Sequence, residues 1–208
     1  MLNVLLACEC SGKVREAFRV LGHNAISVDL QPADDGSEYH IQGDALKALE
    51  LCEWDLLIAH PVCQYLTVSG NKWVKDQAPR KSGALVGAER RAAREEGIAF
   101  FMAFINAPIK HICVENPIGV MSTRYRKPNQ VAQPWMFGHG ETKANCYWLK
   151  GLPNLEPTNI VGGREQRLHL LPPTKDRAKK RSETYQGIAK AMAQQWSTHI
   201  LKGLKNGD

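Results

Sequence analysis

The stretch Trp54-Asp55-Leu56-Leu57-Ile58-Ala59-His60-Pro61-Val62-Cys63-Gln64, continued by Tyr65-Leu66-Thr67-Val68-Ser69-Gly70, decides the fold of this chain. Its first six residues are an apolar run of strand length closed by a proline, and they read as a buried strand. In parallel sheets covered by helices, ligands bind outside the carboxyl ends of such strands. Cys63 stands where the strand gives way to a loop, a position at which chemistry is done. Read alone, a cysteine is most often a small buried hydrophobe, and its neighbours must decide.

Upstream, Val4 to Ala7 is a short apolar strand broken by Cys8-Glu9-Cys10-Ser11-Gly12, after which Val14, Ala17, Phe18 and Leu21 recur at helical spacing and Gly22 stops the helix. Ala25 to Val28 is a second strand ending at Asp29, where a carboxylate can accept hydrogen bonds from both ribose hydroxyls of an adenosine cofactor. The turn is not Gly-x-Gly-x-x-Gly, so an ordinary tight turn stays open. Residues 31 to 40 read as polar loop. Gly43-Asp44-Ala45 leads into a short helix through Leu46 and Leu49, which Asp44 could cap.

Downstream, residues 64 to 87 are polar and rich in Gly, Lys and Ser. A loop of that length is disordered or functional, and a mobile lid is one use. Its Lys72, Lys75, Arg80 and Lys81 suit phosphate contacts; a solvated surface loop is the alternative. Ala88 to Asn106 reads as a helix, basic first (Arg90, Arg91, Arg94) and apolar after (Ile98, Phe101, Met102, Ile105). His111 to Val114 is another buried strand, and it delivers Glu115-Asn116-Pro117 to the same edge as Cys63. Asn145 to Leu149 has strand character in an antiparallel hairpin, and Gly162 to Arg181 has loop composition. Thr184 to Ile200 closes the chain as a helix whose Tyr185, Ile188, Ala189, Met192, Trp196 and Ile200 pack on the sheet.

At 208 residues the chain fits one domain: a core over 1–120, an irregular region over 121–182 and a closing helix over 183–202. Its six cysteines include no Cys-x-x-Cys pair, so no metal site is expected. The N-terminus reads as a strand, not a signal peptide, and no run spans a bilayer, which sets the expectation of a cytoplasmic protein. The net charge of +6 is concentrated at Arg90, Arg91 and Arg94 and at Lys175, Arg177, Lys179, Lys180 and Arg181, clusters that can neutralise nucleic-acid phosphates or simply be solvated.

These segments, in this order, resemble the cytosine-5 DNA methyltransferases. Pro61-Val62-Cys63-Gln64 with Ser69-Gly70 resembles that family's Pro-Pro-Cys-Gln stretch, and Glu115-Asn116-Pro117 its Glu-Asn-Val motif. Ala7 to Gly22 resembles the cofactor motif, Asp29 and Gly43-Asp44 fall where the ribose- and adenine-contacting acids belong, and Gln186-Gly187 is similar to a Gln-x-Gly-Asn-x-Val motif. The run Phe137-Gly138…Thr142-Lys143…Trp148 to Pro153 is similar to compact proteins of phage genomes. Three departures stand out. Val62 replaces a proline, the Gln-x-Arg-x-Arg motif is missing with only Arg124 and Arg126 as stand-ins, and residues 127 to 181 are few for a target-recognition domain.

The resemblance implies a Rossmann-like α/β methyltransferase fold, a mostly parallel sheet with helices on both faces. It further implies S-adenosylmethionine as cofactor, held by Ala7, Glu9, Ser11, Gly12, Asp29, Asp44 and Pro61, and DNA as partner, met by Gln64, Ser69, Arg124 and Arg126. Cys63 would add to carbon 6 of cytosine, Glu115 would meet nitrogen 3, and Asn116 would fix the loop. For this the thiol must ionise, which backbone N–H groups or a cation at the strand end would assist. A free or modified pyrimidine nucleotide as substrate, and a non-catalytic cofactor- or DNA-binding relative, are the alternatives.

Overall fold

A computed structural model of the chain describes residues 1–168, 170–172, 174 and 177–206. Among them the elements run β1 (Asn3–Ala7), α1 (Lys13–Val20), β2 (Asn24–Asp29), β3 (His40–Gln42), β4 (Leu56–Ala59), α2 (Gly87–Ile105), β5 (His111–Asn116), α3 (Met121–Arg124), β6 (Gln130–Ala132), β7 (Asn145–Lys150), α4 (Arg177–Ser182) and α5 (Gln186–Asn206). The strands form one sheet in the order β3-β2-β1-β4-β5-β7-β6. β1 to β5 are parallel; β7 runs against its neighbours β5 and β6.

The apolar runs explain the centre of this sheet. Every residue of β4 and the first four of β5 are fully or nearly fully buried, because helices cover both faces. On one face α1 and α5 pack Val14, Phe18, Ile188, Met192 and Trp196 against Val4, Leu6, Ile58 and Cys113. On the other, α2 packs Phe101, Phe104 and Ile105 against Leu5, Leu57, Ile112 and Trp148. The Rossmann-like α/β class expected from the sequence is therefore the one observed.

Chain order reverses at β1: β2 lies on one side and β4 on the other, so the carboxyl ends of β1 and β4 flank a crevice at a topological switch point. β7 reaches the same edge from the opposite direction, since Asn116 pairs with Cys146 and Ile112 with Lys150. Residues just before β7 consequently lie beyond the carboxyl end of β5.

Two short strands differ from the sequence reading. β3 begins at the last residue of the segment read as polar loop, and β6 pairs with β7 inside the irregular region. Each is three residues long, too short for a period-2 pattern to register. α4 likewise lies within the stretch read as loop. Lys175, part of the late basic cluster, falls outside the described residues.

Candidate active site

Cys63 follows β4 by four residues and Glu115 is the penultimate residue of β5, its neighbour in the sheet. The two loops that leave these strands are stitched together. The Asn116 side-chain amide donates to the Pro61 carbonyl at 2.9 Å. The Val68 and Val120 amides donate to the Ile118 and Leu66 carbonyls. Gly119 lies so close to the Leu66 backbone that any side chain there would strike its carbonyl. Asn116 thus ties the turn that carries Cys63 to the strand that carries Glu115.

A third element holds the same loop from behind. Arg90, 5% exposed, donates to the carbonyls of Gln64 and Leu85 at 3.3 Å each and lies over the Tyr65 ring. Arg94 donates to the Tyr65 carbonyl and to Asn71, and Arg91 pairs with Asp76 at 2.9 Å. Arg90 is thereby sequestered from any phosphate, and the phosphate-neutralising expectation is corrected for it; Arg91 and Arg94 stay at the surface, engaged with Asp76 and Asn71. Residues 64 to 87 also contain a 3-10 turn, Val68–Trp73, with the Trp73 ring between Lys72 and Arg80.

The electrostatics around the thiol are mixed. Burial first, and the Glu115 carboxylate second, push Cys63 up from its ordinary value; a backbone hydrogen bond, Lys143 and Arg181 pull it down. The net direction is upward. The cations are present, but desolvation by the packed strand ends and the facing carboxylate outweigh them. His60 brings Nδ1 within 3.5 Å of Glu115 Oε2. His60 Nε2 and Asn116 Oδ1 are buried without a hydrogen-bond partner among the described residues, so this edge holds two unspent polar atoms.

At the end of β1 the backbone is strained. Cys8 has a φ of 60°, alone among the described non-glycine residues in being positive, and such outliers gather at ligand sites. Burial, then Asp29 and Asp44, push its thiol up to about 12. Asp29 accepts the Gln31 amide at one carboxylate oxygen, and Asp44 accepts the Leu46 amide at one of its own. Glu9 is buried at 4% exposure and takes the Val14 and Arg15 amides at the N-terminus of α1, with the Ser11 hydroxyl as a further donor. Glu9 is a helix cap: Gly12, the residue at the cap position, has no side chain to do it. Ala7 and Pro61 are buried at the crevice, the Ala7 carbonyl accepting the His60 amide at 2.9 Å.

The expected substrate contacts divide. Gln64 and Ser69 are exposed on the cysteine loop, Ser69 sharing a hydrogen bond with Thr67. Arg124 forms a two-pronged pair with Glu95, at 2.7 and 2.6 Å. Arg126 donates to Asn129 and to the Leu149 carbonyl. Leu149 pairs with Cys113, three residues down β5 from Asn116, which is about 10 Å along a strand. Neither stand-in arginine is brought to Cys63 by these bonds.

No model of a known protein family matches the chain, and no curated protein matches it significantly. Solved structures do resemble it. An E. coli prophage protein described as a candidate DNA modification methyltransferase aligns at 13% identity and a TM-score of 0.47, covering 84% of this chain and 56% of its own. The Entamoeba histolytica methyltransferase EhMeth aligns at 13% and 0.48, over 80% and 57%. Dnmt2 of S. pombe aligns at 14% and 0.45, over 74% and 50%. The chain spans about half to three-fifths of the length of these proteins.

Three residues at this edge were not singled out as site residues from the sequence: Lys143, Arg181 and Glu183. Lys143 donates through Nζ to the Glu183 carbonyl at 3.0 Å, and Glu183 pairs with Lys13 at 2.6 Å. Lys179, on the same segment, pairs with Asp34 at 2.6 Å, so α4 is moored to the loop that follows β2. No local pattern announces these contacts; only the entry of β7 from the edge that carries Glu115 does. Among the described residues no His, Cys, Asp and Glu cluster could hold a metal ion, and no helix is long and apolar enough to cross a membrane.

Proposed function

We propose that this chain transfers a methyl group from S-adenosylmethionine to carbon 5 of cytosine in DNA, with Cys63 as covalent nucleophile. One observation carries the reading: a thiol and a carboxylate stand at the ends of adjacent parallel strands, close enough for the Glu115 charge to act on Cys63, in loops tied by the bond from Asn116 to Pro61. Burial first and the Glu115 carboxylate second oppose ionisation of Cys63; a proton shared between Glu115 and nitrogen 3 of the bound ring would offset the second of these.

The Cys63 thiol would give up its proton and its sulfur would bond to carbon 6, the electron pair of the carbon 5–carbon 6 double bond moving to carbon 5; a methyl donor held in the crevice would supply the methyl group that this pair takes up, its methyl–sulfur bond breaking with the electrons left on the departing thioether. A base takes the carbon 5 proton, the double bond re-forms, and the sulfur leaves with the electrons of its bond. In duplex DNA the base must leave the stack, which costs a few kcal/mol. Val62, Val68 and Ile118, exposed on these loops, offer apolar contact to offset that cost.

The crevice fits a cofactor of this kind. In phosphate-binding sheets the free N-terminus of the first helix receives the anion; here Glu9 already fills it with a carboxylate, which would repel a pyrophosphate. The donor set favours a phosphate-free adenosine compound, with Asp29 and Asp44 placed to meet its ribose and base and the turn Ala7 to Gly12, with Pro61, to line its remainder. When bound, S-adenosylmethionine supplies an electrophilic methyl group on a sulfonium.

The test is transfer of labelled methyl groups to cytosine-containing DNA by the protein and by Cys63→Ser. Transfer that vanishes in the variant is expected. Full transfer by Cys63→Ser would remove the nucleophile, and transfer to dCMP but not to DNA would change the substrate.

A further inference from the structure

Arg124 and Arg126 are engaged elsewhere, yet a ring that receives an anionic sulfur needs positive charge nearby. We infer that Lys143 is the positioning cation of this edge: its ammonium, carried past the end of β5 by the antiparallel entry of β7, holds the anionic charge of the Cys63 sulfur. The inference rests on the proposed nucleophile for its purpose and on the strand register for its geometry.

Cys146 pairs with Asn116, so the chain from Asn145 back to Lys143 overruns the carboxyl end of β5, where Glu115 stands and beside which the β4 loop carries Cys63. Lys143 is anchored there twice. Its backbone amide donates to Gln133 Oε1 at 3.0 Å, and its ammonium donates to the Glu183 carbonyl at 3.0 Å. A backbone carbonyl spends one of three donors and no charge, and among the described residues no carboxylate lies within ion-pair distance of Lys143. A half-buried ammonium held that way is costly unless an anion joins it.

The charged groups facing the pair come from four elements. Cys63 meets Glu115 from β5, Lys143 from the lead-in to β7 and Arg181 from α4, with His60 from its own loop beside Glu115. The charges of Glu115, Cys63, Arg181 and Glu183 act on Lys143, whose ammonium touches the last of these at its carbonyl. Glu115 opposes ionisation of the thiol; of the two cations that favour it, Lys143 weighs more than Arg181. No bond to Lys143 forms or breaks.

The experiment is alkylation of the protein by iodoacetamide across pH 6 to 10, followed by mass spectrometry of the Cys63 peptide, for the wild type, Lys143→Gln, Lys143→Met and Lys143→Arg. Lys143→Gln keeps a donor for the Glu183 carbonyl and removes only the charge, so it serves if Lys143→Met does not fold. Loss of the cation is expected to move the Cys63 profile about one unit to higher pH and slow alkylation near pH 7.5 about tenfold. Lys143→Arg restores the profile, and exposed Cys52 is unchanged in all variants. A folded Lys143→Gln with the wild-type profile, or a Lys143→Arg no better than Lys143→Gln, overturns the inference. Neither DNA nor methyl donor is present in this assay, so a shifted profile alongside absent methyl transfer would sink the proposed function and leave the role of Lys143 intact.

Discussion

Replacing Arg90 by Met separates two roles for the same guanidinium. In the structure Arg90 braces the loop that carries Cys63: it is 5% exposed, donates to Gln64 and Leu85 at 3.3 Å and lies 5.2 Å from the Tyr65 ring centroid. Hydrogen bonds from a charged donor contribute about 1.5–3 kcal/mol each, and 3.3 Å places both at the weak end, so their loss costs about 3 kcal/mol. Recovered desolvation and the apolar contacts of Met return about 1 kcal/mol, leaving a net destabilisation of about 2 kcal/mol. For a chain of this length that is a fall in Tm of roughly 4–8 °C, read by calorimetry. Hydrogen exchange should quicken in residues 64 to 70. Were Arg90 a phosphate ligand, Arg90→Met would instead leave Tm within about 1 °C and reduce the slope of log affinity for DNA against log salt by about one. That pair of results would refute the bracing role.

Glu115→Gln removes the carboxylate that raises Cys63, so alkylation of Cys63 at pH 8 is expected to quicken while methyl transfer falls at least a hundredfold, a split no loss of folding produces. Gly187→Ala would drive a Cβ into the Phe137 carbonyl, and Tm should drop by more than roughly 5 °C; Gly203→Ala, in open space on the same helix, should gain about 0.5–1 kcal/mol. His111, 8% exposed, is held by burial below its ordinary value of 6.5. The unfolded chain therefore binds a proton first as pH falls through 6.5, and denaturant midpoints should decline from there until the lower folded value is passed; a midpoint as high at pH 5 as at pH 7.5 would contradict it.

The fold was legible wherever apolar runs were continuous. β4 and β5 are buried on both faces, so Leu56 to Ala59 and His111 to Val114 announce themselves without alternation, and α2 and α5 show their apolar residues at helical spacing. β3 and β6 carry too few residues for any period. The site divides in the same manner. The juxtaposition of Cys63, Glu115 and Asn116 at one sheet edge was legible because Cys63 follows β4 at short range and the other two end β5. Arg90 could not be assigned: a basic residue on a helix looks solvated until tertiary contact buries it against Gln64 and Tyr65. Glu9 looked like a cofactor ligand because it sits in the turn after β1, but its carboxylate is bent back onto the amides of α1. Lys143 depended on a reversal of strand direction and on a contact with Glu183, forty residues away. Local sequence does not encode either.

The central claim is that Cys63 attacks cytosine in a site that also binds the methyl donor. The most direct measurement incubates the protein with S-adenosylmethionine and DNA containing 5-fluorocytosine, which lacks the removable proton at carbon 5. The account predicts a covalent protein–DNA complex that survives denaturation, with the methylated base on the peptide containing Cys63 and no complex from Cys63→Ser. A protein that methylates ordinary DNA yet forms no such complex, or forms it through another residue, would contradict it.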